Sequence, residues 1–130
     1  MGQASRKILI VDDEPHIQQL LEQTLEDLEE DGVELLCVGN GTDALEIIKS
    51  ERPELVFLDV MMPKLSGYEV CRQIKTEGLD TYIVLLTAKG QAIDKEEGTD
   101  AGANEYVTKP FDPDYILNRA AELLGLEIII

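Results

Sequence analysis

The sequence predicts an α/β domain in which a parallel β-sheet is covered by helices on both faces. Short apolar runs alternate with segments of helical periodicity five times along the 130 residues. Most of these runs are continuous, which is typical of strands that are buried on both faces. Since parallel strands need crossover connections, the alternation favours one sheet of (βα)5 topology with right-handed crossovers.

The five strands are assigned to residues 7–11, 33–38, 55–60, 82–87 and 105–108. A first helix is predicted after strand 1, because apolar residues recur at helical spacing from Ile17 to Leu28. An Asp-Gly pair ending at Gly32 closes that segment. The second helix covers about 42–50, because Pro53 bars a longer extension.

Capping residues locate the later helices. The third helix is predicted to begin at Ser66, with Glu69 three residues later as the other half of a capping box. The fourth, at about 91–101, is rich in glycine and acids and only weakly amphipathic. The fifth begins with Asp112 as N-cap and Pro113 at the first helical position.

Length and composition indicate one domain. We assign it to residues 5–125, with short tails at 1–4 and 126–130. No apolar run is long enough to span a bilayer, and the N-terminus lacks an apolar signal region, so we expect a cytoplasmic protein without membrane contact. The formal charge of −16 argues against direct nucleic-acid binding, which depends on lysine and arginine.

The cysteines and the histidine do not indicate a zinc site. Cys37 and Cys71 lie within apolar patterns and are expected to be core thiols. One histidine and two cysteines do not form a usual zinc ligand set. His16, beside Pro15 in a first helical turn, is expected to be a surface or capping residue rather than a phosphohistidine.

Reactive side chains collect at one edge of the predicted sheet. Ligands of open parallel sheets bind beyond the carboxyl ends of the strands, beside the switch point in strand order. Those ends carry three acids, a hydroxyl and an ammonium: Asp12 and Asp13 after strand 1, Asp59 at strand 3, Thr87 at strand 4 and Lys109 after strand 5. Since alternation along a strand would point Asp12 and Asp13 apart, strand 1 must end at Val11 for both to serve this edge.

This set of groups suggests phosphoryl chemistry. Three close carboxylates favour a hard cation such as Mg²⁺, which takes one or two carboxylates together with waters and phosphate oxygens. One carboxylate can act as a nucleophile and form an acyl phosphate. Lys109 and Thr87 would then complement the charge of the phosphoryl group. Neither common glycine-rich phosphate loop is present, so the metal and the side chains must hold the phosphate.

Four stretches carry a family resemblance: "ILIVDDEP", "PELVFLDVMMPKLSGYEV", "IVLLTAKG" and "AGANEYVTKPF". Their order, spacing and residue types resemble the receiver domain of bacterial two-component response regulators over nearly the whole chain. The resemblance implies a flavodoxin-like, doubly wound, five-stranded parallel sheet of strand order 2-1-3-4-5. Strands 1 and 3 would then flank the switch point.

The resemblance also implies roles for the acids. Asp59 resembles the phosphoacceptor, which takes a phosphoryl group from a sensor histidine kinase or a phosphotransfer protein and also binds the metal. Asp13 resembles the direct Mg²⁺ ligand, and Asp12 the acid that acts through a metal-bound water. The backbone carbonyl of Met61 would be a further ligand.

The remaining roles concern the phosphoryl group and the switch. Thr87 and Lys109 match the residues that contact the phosphoryl group. Tyr106 matches the aromatic that moves inward with Thr87, which alters the face formed by helix 4, strand 5 and helix 5. The bond between Lys109 and Pro110 resembles the family's cis peptide. Such domains can form phosphorylation-dependent homodimers, and the effector is left open.

Small departures from the family pattern concern the loop after strand 3 and the phosphoaspartate lifetime. Ser66 stands before Gly67 where an aspartate is commoner, and serine caps a helix equally well. Met61 and Lys89 occupy positions that tune the lifetime of the phosphoaspartate, and the sequence leaves that lifetime open.

Two other classes of function compete with a signalling switch. A phosphatase or phosphotransferase with an aspartyl-phosphate intermediate usually carries a second acid two residues after the nucleophile, where this chain has Met61. A docking module that has lost phosphorylation is disfavoured because the acids, Thr87 and Lys109 are all present. Flavin binding would rest on the fold alone.

Overall fold

The computed structural model describes residues 6–62, 64–88 and 102–126. Their elements, in chain order, are β1 (Arg6–Val11), α1 (Pro15–Leu25), a 3-10 helix (Glu26–Asp31), β2 (Val33–Val38), α2 (Gly41–Glu51), β3 (Leu55–Asp59), α3 (Gly67–Thr76), β4 (Tyr82–Ala88), β5 (Glu105–Lys109) and the C-terminal helix (Pro113–Leu123). The C-terminal helix is the fifth predicted helix. The fourth predicted helix, at 91–101, lies outside the described residues.

The strands form one parallel sheet in the order β2-β1-β3-β4-β5, which confirms the predicted fold class and strand order. The chain winds from β1 to β2 on one side and returns past β1 to β3 on the other. The switch point therefore lies between the carboxyl ends of β1 and β3, where Val11 pairs with Leu58.

Two apolar layers cover the sheet, and β1 contributes to both. Ile8 and Ile10 face the layer under α1 and the C-terminal helix, while Leu9 and Val11 face the layer under α2 and α3. All four side chains are fully buried. Burial on both faces is the reason why the strands read as continuous apolar runs.

The first predicted helix changes geometry before it ends. It is α-helical as far as Leu25 and continues as a 3-10 helix to Asp31, and Gly32 then adopts a left-handed conformation with φ of 86°. The 3-10 segment is acidic at every position except Leu28, the one of its side chains that is buried. Acids at the carboxyl end of a helix interact unfavourably with the helix dipole. Within this segment, Leu28 is the only side chain that contributes buried apolar packing.

The predicted caps are present, with one difference. The Asp112 side chain accepts from the Asp114 backbone, with Pro113 at the first helical position. Ser66 Oγ accepts a hydrogen bond of 3.3 Å from the Glu69 backbone. The Glu69 carboxylate, however, accepts from the Arg72 guanidinium at 2.6 Å, so this acid serves an ion pair along the helix surface.

Within the described ranges, no helix is both long and apolar enough to cross a bilayer.

Candidate functional site

The acid pair after β1 lies in a turn, not in the strand. β1 ends at Val11, as the use of both acids requires, and Asp12 and Asp13 connect it to α1, which begins at Pro15. Asp12 is completely buried while Asp13 is exposed. The turn therefore gives neighbouring carboxylates different surroundings, one inside the domain and one open to solvent.

Lys109, at the end of β5, lies among the acids. Its Nζ is 2.8 Å from Oδ2 of Asp12, 3.2 Å from Oδ1 of Asp59 and 3.8 Å from Oε1 of Glu14. Burial lowers the pKa of Lys109, but its hydrogen bond to Asp12 and the charge of Asp59 outweigh burial and raise the pKa above its usual value. The lysine is therefore a permanent cation between the ends of β1 and β3.

The surroundings of the Asp59 carboxyl destabilise its ionised form. Burial, and then the charge of Asp12, raise its pKa from 3.8 to about 6, while Lys109 and the backbone N–H of Met61 act in the opposite direction. A carboxylate whose ionised form is destabilised gains from any additional cation nearby. The ionised form of Asp59 would therefore be stabilised by a positive charge in addition to that of Lys109.

Every polar group of Asp12 is engaged. Its N–H donates to the Val38 carbonyl at 3.3 Å, and its own carbonyl accepts from Nε2 of Gln18. Oδ1 accepts from the Glu14 backbone at 2.9 Å, and Oδ2 accepts from Lys109 at 2.8 Å. With these contacts Asp12 is suited to organise the site, and the exposed Asp13 is the acid open to an incoming ligand.

A metal ion fits the chemistry of this turn. Carboxylate oxygens of Asp12, Asp13 and Glu14 all lie within 4.8 Å of one another. Hard oxygen donors of this kind suit Mg²⁺. Glu14 was not singled out from the sequence, although it directly follows the acid pair in "DDEP".

Thr87 and Tyr106 lie on a common face of the sheet. In the pairing of β4 with β5, Thr87 is opposite Thr108 and Tyr106 is opposite Leu85. Residues two apart along a strand share a face, so Thr87 and Tyr106 are diagonal neighbours on that face. Thr87 is buried, and Tyr106 is half-buried against the layer under α2 and α3.

Four further residues were named from the sequence: Met61, Pro110, His16 and Lys89. The Met61 side chain is 61% exposed, and the peptide bond before Pro110 is cis. His16 is exposed on α1, with Nε2 at 3.4 Å from the Glu14 carboxylate. Lys89 lies outside the described residues.

Both cysteines have thiol surroundings that disfavour reactivity. Burial raises the pKa of Cys37 and of Cys71 to about 11. Cys71 is a core thiol, as predicted, whereas Cys37 on β2 is half-buried.

Gly67 is a site residue that the sequence analysis did not assign. Its N–H donates to the Val60 carbonyl at 2.9 Å, and a Cβ at this position would lie 2.3 Å from the Asp59 carbonyl oxygen. The first turn of α3 therefore rests directly on the backbone of Asp59. A glycine directly after the predicted N-cap Ser66 was the available signal, because glycine is used where backbone segments approach closely.

The chain matches a known protein family over most of its length. The family model of the response regulator receiver domain matches residues 8–121. The chain belongs to the response regulator receiver family. The chain is thereby a receiver domain of two-component response regulators, and its sheet has the strand order predicted from that resemblance.

Curated relatives of this receiver domain are longer proteins. It is 42% identical over 120 residues to the alkaline phosphatase synthesis transcriptional regulatory protein PhoP of Bacillus subtilis, and the match covers 92% of this chain and 49% of PhoP. It is 44% identical over 124 residues to the probable transcriptional regulator ycf27 of Porphyra purpurea, covering 95% of this chain and 49% of that protein. The chain thus spans about half the length of these relatives.

Solved receiver domains have the same fold. The BeF3-activated DrrB receiver domain is 36% identical with a TM-score of 0.81, covering 93% of this chain and 98% of DrrB. The chemotaxis response regulator CheY4 of Vibrio cholerae is 29% identical with a TM-score of 0.79, covering 92% of this chain and 98% of CheY4.

Gly67→Ala should destabilise the domain despite the higher helix propensity of alanine. The added methyl would collide with main-chain atoms of Asp59, and overpacking of this kind costs about 1–3 kcal/mol. Urea unfolding followed by circular dichroism measures the loss. Gly39→Ala is the matched control, because its methyl would make an ordinary contact of 3.4 Å, and its stability should change by less than about 1 kcal/mol. Equal stabilities of the two variants would contradict the close approach.

Asp59→Asn should stabilise the metal-free protein at neutral pH. The folded pKa of Asp59 is raised from 3.8 to about 6, so the folded state binds this proton more tightly and wild-type stability falls as pH rises through that window. The advantage of the variant over wild type should grow from pH 4 to pH 7 by about 1–2 kcal/mol, a value discounted for partial solvent access.

Urea unfolding at each pH in the presence of a chelator measures this difference. Asp27→Asn, an exposed change in the 3-10 helix, controls for the loss of one negative charge from the chain. A difference between wild type and Asp59→Asn that does not change with pH would be inconsistent with the raised pKa.

Proposed function

We propose that this receiver domain is a phosphorylation-activated signalling switch, in which Asp59 accepts a phosphoryl group in a Mg²⁺-dependent reaction. The observation that carries the proposal is the buried Asp59 carboxylate at the switch point, with the Lys109 ammonium 3.2 Å away. A cation at this distance can neutralise a phosphoryl oxygen as well as a carboxylate. The proposed donor is a phosphohistidine of a sensor histidine kinase or a phosphotransfer protein.

The transfer replaces a phosphorus–nitrogen bond by a phosphorus–oxygen bond. An oxygen of the Asp59 carboxylate attacks phosphorus, the phosphorus–nitrogen bond of the phosphohistidine breaks, and the imidazole leaves with the bonding electrons. The product is an acyl phosphate on Asp59. Attack requires the ionised carboxyl, and the pKa of about 6 leaves this form in excess at neutral pH.

The acids of the site would hold the metal. We assign Asp13, Asp59 and the backbone carbonyl of Met61 as direct ligands, with Asp12 acting through a bound water. Mg²⁺ would supply neutralisation of the negative oxygens that gather during the transfer. Lys109 would move its hydrogen bond from Asp59 to the phosphoryl group, and Thr87 would donate its hydroxyl to the same group.

The output would be a change in the surface that includes β5 and the C-terminal helix, together with the fourth predicted helix. A shift of Thr87 toward the phosphoryl group vacates space beside Tyr106, its diagonal neighbour on the sheet. Glu105 links β5 to the C-terminal helix and to β4, since its Oε1 accepts hydrogen bonds from Arg119 of the helix at 2.8 Å and from Tyr82 of β4 at 3.1 Å. A shift in β5 would therefore move the helix with it.

The domain would not be an enzyme for other substrates. Met61 offers no acid two residues after the nucleophile, and its backbone N–H already binds the Asp59 carboxylate. We propose that it catalyses only its own phosphorylation and dephosphorylation.

The wider setting follows from its relatives and its charge. PhoP and ycf27 are named as transcriptional regulators and are about twice as long as this chain. We therefore propose that the signal passes from this domain to a downstream effector domain or effector protein. With a net charge of −16, the domain itself would not bind nucleic acid. It would act in the cytoplasm without membrane contact, and phosphorylation would favour a homodimer.

Acyl phosphate treatment should label Asp59 alone. After incubation with acetyl phosphate and Mg²⁺, intact-mass spectrometry should show the gain of one phosphoryl group in wild type. Asp59→Asn should gain none, and a chelator should abolish the gain in wild type. Asp43→Asn, an exposed aspartate on α2, is the control for amide substitution and should be labelled like wild type. Labelling that persists in Asp59→Asn would refute the assignment.

A further inference from the structure

Gln18 holds the main chain of the acid turn. Its Nε2 donates a hydrogen bond to the carbonyl oxygen of Asp12. On its other side, the N–H of Asp12 donates to the carbonyl of Val38 at 3.3 Å. The backbone at Asp12 is therefore fastened to α1 through one group and to the end of β2 through the other.

The connection after β2 packs against this hydrogen bond. A Cβ at Gly39 would lie 3.4 Å from Nε2 of Gln18 and 3.8 Å from the carbonyl oxygen of Asp12. Gln18 itself is half-buried, whereas the next helix residue, Gln19, is exposed. The amide is thus partly shielded from water, which strengthens a hydrogen bond relative to one in solvent.

The bonded carbonyl belongs to the peptide group between Asp12 and Asp13. Because the peptide is planar, the hydrogen bond from Gln18 to its carbonyl oxygen limits rotation about ψ of Asp12 and so restrains the position of the Asp13 Cα, from which the Asp13 carboxylate extends. That carboxylate lies within 4.8 Å of those of Asp12 and Glu14. The Lys109 ammonium pairs with Asp12 and Glu14, but three carboxylates share this one positive charge. Because like charges repel, an additional restraint on the turn helps to hold Asp13 beside the other two acids.

We infer that Gln18 is a positioning residue for the divalent-cation site, acting through the Asp12–Asp13 peptide. The inference rests on the proposed function, in which Asp13 binds Mg²⁺ directly. Gln18 pre-orders the turn, so that ion binding does not have to order it. Outer partners that orient metal ligands typically contribute a factor of about 10 to 100 in metal affinity.

The test compares Gln18→Met with Gln19→Met. Methionine keeps the length and the helix propensity of glutamine but has no N–H donor. Isothermal titration with Mg²⁺ should give a Kd about tenfold or more higher for Gln18→Met than for wild type, and an unchanged Kd for Gln19→Met. Gln18→Ala, a second variant without the donor, should show the same loss.

Two further measurements separate positioning from general destabilisation. Thermal melts in a chelator should place Gln18→Met within about 5 °C of wild type, because one partly exposed hydrogen bond is lost. With acetyl phosphate, the Mg²⁺ concentration for half-maximal labelling of Asp59 should rise by the same factor as the Kd. The yield at saturating Mg²⁺ should return to the wild-type level.

The outcomes distinguish this inference from the proposed function. If wild type neither binds Mg²⁺ nor becomes labelled at Asp59, the proposed function fails and the inference fails with it. If wild type does both, and both Gln18 variants titrate like Gln19→Met, the inference alone is overturned. A loss of labelling in Gln18→Met that saturating Mg²⁺ does not restore would also overturn it.

Discussion

The site depends on the Lys109 ammonium between two buried carboxylates. Asp12 comes from the turn after β1 and Asp59 from the end of β3, and Lys109 reaches both from the end of β5, although β4 separates β5 from β3 and β3 lies between β4 and β1. Without this cation the two acids would repel each other in a region with little water. Even with it, the pKa of Asp59 stays raised at about 6. The Lys109 ammonium therefore only partly offsets the effects of burial and of Asp12 on the Asp59 carboxyl.

Hydrogen bonds and close backbone packing hold the acids in place. Asp12 is fastened by contacts from α1, β2, β5 and its own turn. The backbone of Asp59 is packed against the first turn of α3, where only the absence of a side chain at Gly67 allows the approach. Side chains on rigid elements keep a more exact geometry than side chains on free loops. These contacts therefore fix the two acid-bearing segments relative to each other.

Several features were predictable because they depend on local physics. Continuous apolar runs located every strand to within about a residue, and Asp112 and Ser66 acted as the predicted caps. The parallel topology then required Asp12, Asp59 and Lys109 to meet at one edge. The 3-10 geometry of Glu26–Asp31 and the ion pair of Glu69 with Arg72 were not predicted. Each is a choice between conformations of similar energy, which neighbouring contacts decide.

The family resemblance predicted the strand order, and the apolar pattern of the chain predicted the edge at which the reactive groups collect and the identity of those groups. The folded arrangement gave these groups their different surroundings. In the folded domain Asp12 is buried and Asp13 is exposed, and the Glu14 carboxylate lies near Lys109. Gln18 contacts the turn after β1, and Gly67 packs against the backbone of Asp59. The physical reason is that composition and periodicity report the average surroundings of a residue. Contacts between segments distant in sequence depend on packing distances that no local pattern encodes.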